Sequence, residues 1–407
     1  MTEHLVVPLF GVVSTIDNPA PRCAALINDT VVDLSKLYQL EWFQLRAVPS
    51  HIDLVAIFQM PTLNRFAELP LSIRSAVRKH VAEEYSNKSI PSSCLVPVKD
   101  VSTHLPMSIG NYVDFYCSLE HARNCAALVG GDVTDNFYTS PICYNGRASS
   151  IVPSPTPIHR PRGIFHNTCT THGSDVIYGP SKKLDFELEL GYFISKSLPR
   201  GKTLSIDEAP EYIFGFVLLN DWSTRDVQMF ELRPLGPFHS KGFATSISPW
   251  IVPFDVLHPF ATAPKNGHQP GGLSHLKWSD STTGTFNINV AASVTRNGNT
   301  QLITKSNLRD LYWSPFQQLT HLASSGSGII TGDLVGTGTI SGSVAGSQGC
   351  LFEASEDGVK PISLGEGWNL TYLEDYDEVA LDAWCASVQG GPSFKFAECR
   401  GQVLPAE

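Results

Sequence analysis

The stretch Leu184-Asp185-Phe186-Glu187-Leu188-Glu189-Leu190-Gly191-Tyr192-Phe193 decides how this chain is read. Apolar and acidic residues alternate with the period of two that gives a strand distinct faces. Phe186, Leu188 and Leu190 then point one way, and Asp185, Glu187 and Glu189 the other. Two unit charges ~4 Å apart oppose each other by roughly 4 kcal/mol at an effective dielectric of ~20, so a row of three carboxylates implies open solvent or a bound cation. On this stretch alone the plain expectation is a half-exposed strand with a solvated acidic face.

The rest of the chain sets bounds on function. Its 407 residues are enough for one very large domain or two. The charged fraction of 17% beside 42% apolar residues is a globular balance. The formal net charge of −10, with no basic run, argues against nucleic acid or an anionic membrane surface as partner. Nine cysteines without a C-x-x-C pair suggest free thiols in a reduced compartment and not a zinc ribbon. With no signal-like start and no run of 18 apolar residues, the expected location is cytoplasmic.

Taken in order, residues 1–105 read as a separate small unit. Strand-like Val6–Val13, Cys23–Ile27 and Val31–Leu34, the last two joined by an expected hairpin turn near Asp29, precede a helix over Leu71–Tyr85 and a Pro-containing linker between Pro97 and Pro106. Residues 106–407 begin with the alternating segment 109–116. Ser118 is positioned as the N-cap of a helix that runs to about Val129 and stops at Gly130-Gly131. His121 lies in its first turn; a lone histidine there is more often a satisfied structural residue. Ile213–Leu219 reads as a buried strand. A helix growing straight out of it would place Asp221, Arg225, Gln228 and Leu232 on one face. In that reading the plain alternative for Arg225 is a salt bridge to Asp221, and for Gln228 a solvent-facing amide. Pro315 suits the first turn of a helix ending near Leu322.

Several of these segments, in this order and spacing, resemble the fumarylacetoacetate hydrolase family of carbon–carbon bond hydrolases. They are Asp114-Phe115-Tyr116 with His121, Tyr144-x-Gly-Arg147, Asp185-x-Glu187-Leu-Glu189, Asn220-Asp221-Trp-Ser-x-Arg225-Asp-x-Gln228, Pro234-Leu-Gly-Pro-Phe with Lys241, and Gly338-Thr339-Ile-Ser-Gly. The likeness runs nearly end to end, from Phe10-Gly11-Val12-Val13 to Gly401-Gln-Val-Leu-Pro405. It implies a mainly β fold with a few helices: a small N-terminal SH3-like barrel (1–105), a large C-terminal β-roll carrying the active site (106–407), and a homodimer. It further implies one divalent cation on Asp114, Glu187, Glu189 and Asp221, an all-oxygen set suited to Mg²⁺ or Ca²⁺, with Mn²⁺ as a third choice. A second structural cation is implied near Lys241 and Thr245.

The chemistry follows from what cleaving a 1,3-dicarbonyl requires. His121 is the candidate base, oriented by Glu353, and Arg225, Gln228 and Lys241 are candidate oxyanion donors. Tyr116, Tyr144, Gln228, Leu232 and Thr339 are the candidate substrate contacts. Three positions depart from the family pattern: Gly130 replaces an arginine, Leu232 a tyrosine and Asn145 a histidine. Loss of a carboxylate clamp and gain of Leu favour a less acidic substrate than the tyrosine-degradation intermediate fumarylacetoacetate, such as one from a specialised biosynthetic pathway. Two alternatives stand beside hydrolysis. One is a decarboxylase, isomerase or cyclase working through a metal-bound enolate; the other is a catalytically silent binding protein.

Overall fold

The structure is a computed structural model that describes residues 5–43, 45, 48–167, 175–265, 273–365, 368–386 and 393–407. Strands dominate it, with a few helices between them. The strands used below are β1 (Leu9–Ser14), β2 (Arg22–Ile27), β3 (Thr30–Asp33), β4 (Leu95–Pro97), β5 (Tyr112–Phe115), β6 (Cys143–Asn145), β7 (Leu188–Ile194), β8 (Ile213–Asp221), β9 (Trp250–Pro253) and β10 (Leu334–Gly336). The helices are α1 (Leu71–Ser86), α2 (Leu119–Leu128), α3 (Arg225–Glu231), α4 (Pro315–Ser324) and α5 (Leu351–Ala354).

One large sheet carries the order β4-β3-β2-β1-β9-β8-β7-β10-β5-β6. The hairpin expected near Asp29 is present, with Ile27 opposite Thr30 and Asn28 in the left-handed region at φ 52°. The N-terminal strands continue into the rest of the protein, because Phe10 and Gly11 of β1 pair with Ile251 and Trp250 of β9. The segment between Pro97 and Pro106 is not a free linker. Its residues Ser102–His104 form a strand against β1, which satisfies backbone groups that would otherwise face the edge.

Packing joins the two parts as closely as pairing does. Phe66 meets Phe10, Phe58 and Phe214 at centroid distances of 4.9, 5.2 and 5.9 Å, so one aromatic side chain bridges the N-terminal helices and β8. Arg78 on α1 makes a two-pronged ion pair with Asp255 at 2.7 and 3.1 Å. A second core packs on the opposite face of the sheet, around Trp222, Phe216, Phe286 and Phe316.

The acidic stretch departs from the half-exposed expectation. All seven residues of β7 and all nine of β8 are buried, and Asp185 and Glu189 are 0% exposed. With neighbours on both faces and both edges, β7 has no solvent side on which its acids could lie. The strand is also interrupted. Leu184–Asp185 pairs with Ser223–Thr224, and Leu188 resumes opposite Asn220 in the same register. The ladder opens at Glu187 and Asp221, where the Glu187 N–H turns to the Asn220 side-chain oxygen at 3.1 Å.

Replacing Phe66 by Ala leaves a cavity shared by both parts, and the cost should be about 3–5 kcal/mol. Urea unfolding with m-value analysis measures it. A loss under about 0.5 kcal/mol, typical of surface sites, would show that Phe66 does not join the two parts.

Candidate active site

Three strands bring the acids together. Asp114 lies on β5, Glu189 on β7, Glu187 just before β7, and Asp221 at the end of β8. One carboxylate oxygen from each falls within 4.8 Å of the others, and all four residues are buried. The arrangement needs a glycine at 336. A Cβ there would stand 2.4 Å from Asp114 Oδ1 and 3.2 Å from Glu189 Oε2, filling the space the carboxylates share.

Asp114, Glu189 and Asp221 are each held at one oxygen and bare at the other, while Glu187 meets Lys241 at one oxygen and Arg225 at the other. The Tyr144 hydroxyl donates to Asp221 Oδ2 at 2.6 Å and reaches Asp114 Oδ2 at 3.1 Å. Lys241 Nζ donates to Asp221 Oδ2 at 2.8 Å and also to Glu187 Oε2. The Gly338 N–H donates to Glu189 Oε2 at 3.1 Å. Asp114 Oδ1, Glu189 Oε1 and Asp221 Oδ1 are buried with no hydrogen-bond partner. Buried bare carboxylate oxygens are costly, and three of them converging is the donor set a hard divalent cation takes. Electrostatics agree with this fit. Burial, with the charges of neighbouring carboxylates, pushes the Asp114 and Glu189 carboxyls well above the ordinary range. Burial also opposes the charge on Glu187, but Lys241 and Arg225 outweigh it and hold that carboxyl below the ordinary range.

The helix expected to start at Asp221 does not. Asp221 ends β8, a short strand follows at Ser223–Thr224, and α3 begins at Arg225. Asp221 therefore shares no helical face with Arg225, Gln228 and Leu232, and Arg225 does not pair with it. The guanidinium instead bonds Asp185 Oδ2 at 2.8 Å and approaches Glu187 Oε1 at 2.8 Å. Asp185 accepts the Leu351 and Phe352 N–H groups at 2.7 and 3.0 Å, which ties α5 to α3. Arg225 Nη1 also donates to Gln228 Oε1 at 3.0 Å, so the amide NH₂ of Gln228 is left free to donate elsewhere.

His121 is buried in the first turn of α2, whose N-cap Ser118 accepts the His121 N–H at 3.2 Å. Its Nδ1 lies 2.6 Å from Glu353 Oε2 on α5. Asn124 donates to Glu353 Oε1 and Ser341 to Oε2, both at 2.8 Å. With Nδ1–H committed to Glu353, Nε2 carries the lone pair. Burial works against a charged imidazole, and the Cys125 and Glu353 groups beside it more than offset this, raising the His121 pKa. Tyr116 packs edge-on against the imidazole at 5.2 Å.

The remaining expected residues are spread around this centre. Thr245 is opposite Asp221 in the sheet, and Thr339 is buried beside Gly349. Leu232 is the exposed C-cap of α3, and Gly130, at φ 71°, lies at the exposed end of α2. A cavity of about 490 Å³ is lined by Asn111, Tyr144, Asn145, Arg147, Phe238 and Lys241, so it opens onto residues that touch the carboxylates. Asp185, Asn124 and Ser341 were missed as positioning residues. Asn124 had a usable signal, three residues beyond His121 on the same helix. Asp185 and Ser341 had none, since their partners are far away in sequence.

Comparisons with known proteins agree with this geometry. Residues 111–393 match the model described as "Fumarylacetoacetate (FAA) hydrolase C-terminal", and residues 7–106 the one described as "Fumarylacetoacetase N-terminal". The chain is 38% identical to a fumarylacetoacetase of Rattus norvegicus over 98% of this chain and 95% of that protein. It is 37% identical to the Homo sapiens fumarylacetoacetase at the same coverage, and 38% identical to fumarylacetoacetase fahA of Aspergillus fumigatus over 98% and 94%. Among solved structures, a fumarylacetoacetate hydrolase from Exiguobacterium antarcticum shares the fold at TM-score 0.54 and 15% identity, covering 98% of this chain and all of that one. A maleylpyruvate hydrolase from Sphingobium does so at TM-score 0.53 and 13% identity, covering 97% and 100%. With both of its family models matched in order and relatives similar over nearly its whole length, the chain belongs to the fumarylacetoacetate hydrolase family.

Proposed function

We propose that this protein hydrolyses the carbon–carbon bond of a 1,3-dicarbonyl, fumarylacetoacetate or a less acidic analogue, with His121 as base. The observation that carries the reading is the buried His121–Glu353 pair, 2.6 Å apart, in the same molecule as four converging carboxylates. The family are carbon–carbon bond hydrolases, and this chain is an enzyme of that kind.

His121 Nε2 takes a proton from water as it attacks the carbonyl. Glu353 stabilises the imidazolium that forms, while Asn124 and Ser341 hold Glu353 in place. The free amide of Gln228 and the remaining N–H donors of Lys241 and Arg225 are the candidates to stabilise the tetrahedral oxyanion, where one such donor is typically worth about 3–4 kcal/mol of barrier. His121 then returns its proton to the departing carbon. Asp114, Glu187, Glu189 and Asp221 would hold a divalent cation, Mg²⁺ in the first instance, which supplies Lewis acidity to the dicarbonyl oxygens. Tyr144 and Lys241 orient three of those carboxylates, Asp114, Asp221 and Glu187. Tyr116 and Thr339 are proposed to contact substrate, and Leu232 to favour an apolar end on it. A cytoplasmic homodimer with its domain boundary near residue 105, and a second cation near Lys241 and Thr245, complete the reading. No helix among the described residues is long and apolar enough to cross a membrane.

A cation that binds the folded state alone stabilises it by about 2.7 kcal/mol at 100 times its dissociation constant. Differential scanning fluorimetry should therefore show a higher Tm with Mg²⁺ than with EDTA. Since the ligands must be deprotonated, the gap should widen as pH rises; Glu189→Gln should shrink it. An equal Tm in Mg²⁺ and EDTA at every pH would remove the cation from the account.

A spectrophotometric assay on fumarylacetoacetate beside an uncharged β-diketone tests the chemistry. His121→Ala should lower kcat by about 10²–10⁴-fold while leaving the Mg²⁺-dependent Tm shift intact. Turnover that survives in His121→Ala would assign the base elsewhere. Fast turnover of fumarylacetoacetate alone would mean that Gly130 and Leu232 have not shifted the specificity.

A further inference from the structure

Two thiols that the proposed hydrolysis does not use stand against the His121–Glu353 pair. Cys350 Sγ lies 3.2 Å from Glu353 Oε2, and Cys125 Sγ lies 3.7 Å from both ring nitrogens of His121. One donor atom each from His121, Cys350 and Glu353 falls within 4.8 Å of the others, and all three residues are buried. Cys125 is half-buried and sits one helical turn beyond His121, giving the cluster an opening toward solvent. The described cysteines are all free thiols.

The donors differ in kind from those of the carboxylate set. Sulfur, imidazole nitrogen and one carboxylate oxygen suit a borderline-soft ion such as Zn²⁺, whereas four carboxylates suit a hard one. The spacing agrees. With Zn–S near about 2.3 Å and Zn–N or Zn–O near about 2.0 Å, a tetrahedron puts sulfur about 3.5 Å from nitrogen or oxygen. The observed separations of 3.7 and 3.2 Å bracket that value. The 2.6 Å between Nδ1 and Oε2, now closed by a proton, would have to open by roughly 0.7 Å.

We propose that His121, Cys350 and Glu353 form an inhibitory soft-metal site for Zn²⁺, with Cys125, which touches His121 but lies outside that three-donor set, swinging in as the fourth donor. It is separate from the carboxylate cation site. The ion takes the place of the Nδ1 proton, which moves to Nε2 and occupies the lone pair there, and the two thiol protons leave to solvent as the Zn–S bonds form. Capture of His121 and Glu353 in this way removes the base, so zinc occupancy and turnover exclude each other. That consequence rests on the role of His121 proposed above; the binding itself does not.

The test uses the full-length protein saturated with Mg²⁺, so that the carboxylate site is filled. Co²⁺ serves as a spectroscopic probe and Zn²⁺ as the inhibitor. One equivalent of Co²⁺ should produce a sulfur-to-cobalt charge-transfer band that Zn²⁺ abolishes. Zn²⁺ should inhibit turnover in a way that extra Mg²⁺ does not relieve. Cys350→Ser and Cys125→Ser, which keep a small polar group, should keep kcat within about twofold and weaken Zn²⁺ binding by at least about tenfold. Absence of the band, relief of inhibition by Mg²⁺, or unchanged Zn²⁺ affinity in both variants would each overturn the site. A sulfur-to-cobalt band that is lost in Cys350→Ser, without inhibition of turnover, would uphold the site and instead count against His121 as base.

Discussion

The site is arranged around uncompensated negative charge in the buried interior. Five carboxylates, Asp114, Asp185, Glu187, Glu189 and Asp221, are buried within reach of one another, while Lys241 and Arg225 are the fixed cations set among them. At low dielectric such an imbalance is tolerable only with bound protons or a bound cation. The sheet supplies the rigidity that keeps the charges from separating. Strands β5, β7 and β8 carry the acids, and Gly336 on β10, between β5 and β7, leaves the room.

Division of labour among the acids follows from what each faces. Asp185 is saturated by Arg225 and two N–H groups of α5, so it positions the guanidinium and has no oxygen left for a metal. Glu187 is shared between both cations and stays charged. Asp114, Glu189 and Asp221 keep bare oxygens. Glu353 belongs to a separate network on α5, coupled to the first through the Asp185 bonds at Leu351 and Phe352. One short helix thus carries the orienting carboxylate for His121 and the anchor for Arg225. Distance in sequence between these groups is spanned entirely by tertiary contacts.

Much of this was legible in the chain, for physical reasons that can be named. Period-two alternation marked the strand around Leu188, the unbroken apolar run marked β8, and Ser118 marked the start of α2 at its true N-cap. The family resemblance identified the four acids that converge. What could not be read was burial of the acidic face, because alternation is equally the signature of a half-exposed strand. The start of α3 was also misplaced: residues four apart fit a helix, yet Asp221 is the last residue of a strand, held by pairing to Thr245. Alternation alone does not tell Asp185 from Glu187 and Glu189, with which it shares parity. Its separate role comes from α5, 166 residues away in sequence.

The central claim is that His121 activates a water molecule that ends up in the product. The most direct measurement is a turnover in oxygen-18 water with Mg²⁺ present, the products being read by mass spectrometry. The account predicts one oxygen-18 atom in the newly formed carboxylate, absent when His121 is replaced by Ala. A product formed at the same rate with no solvent oxygen would contradict it, and would make the protein a non-hydrolytic member of its family.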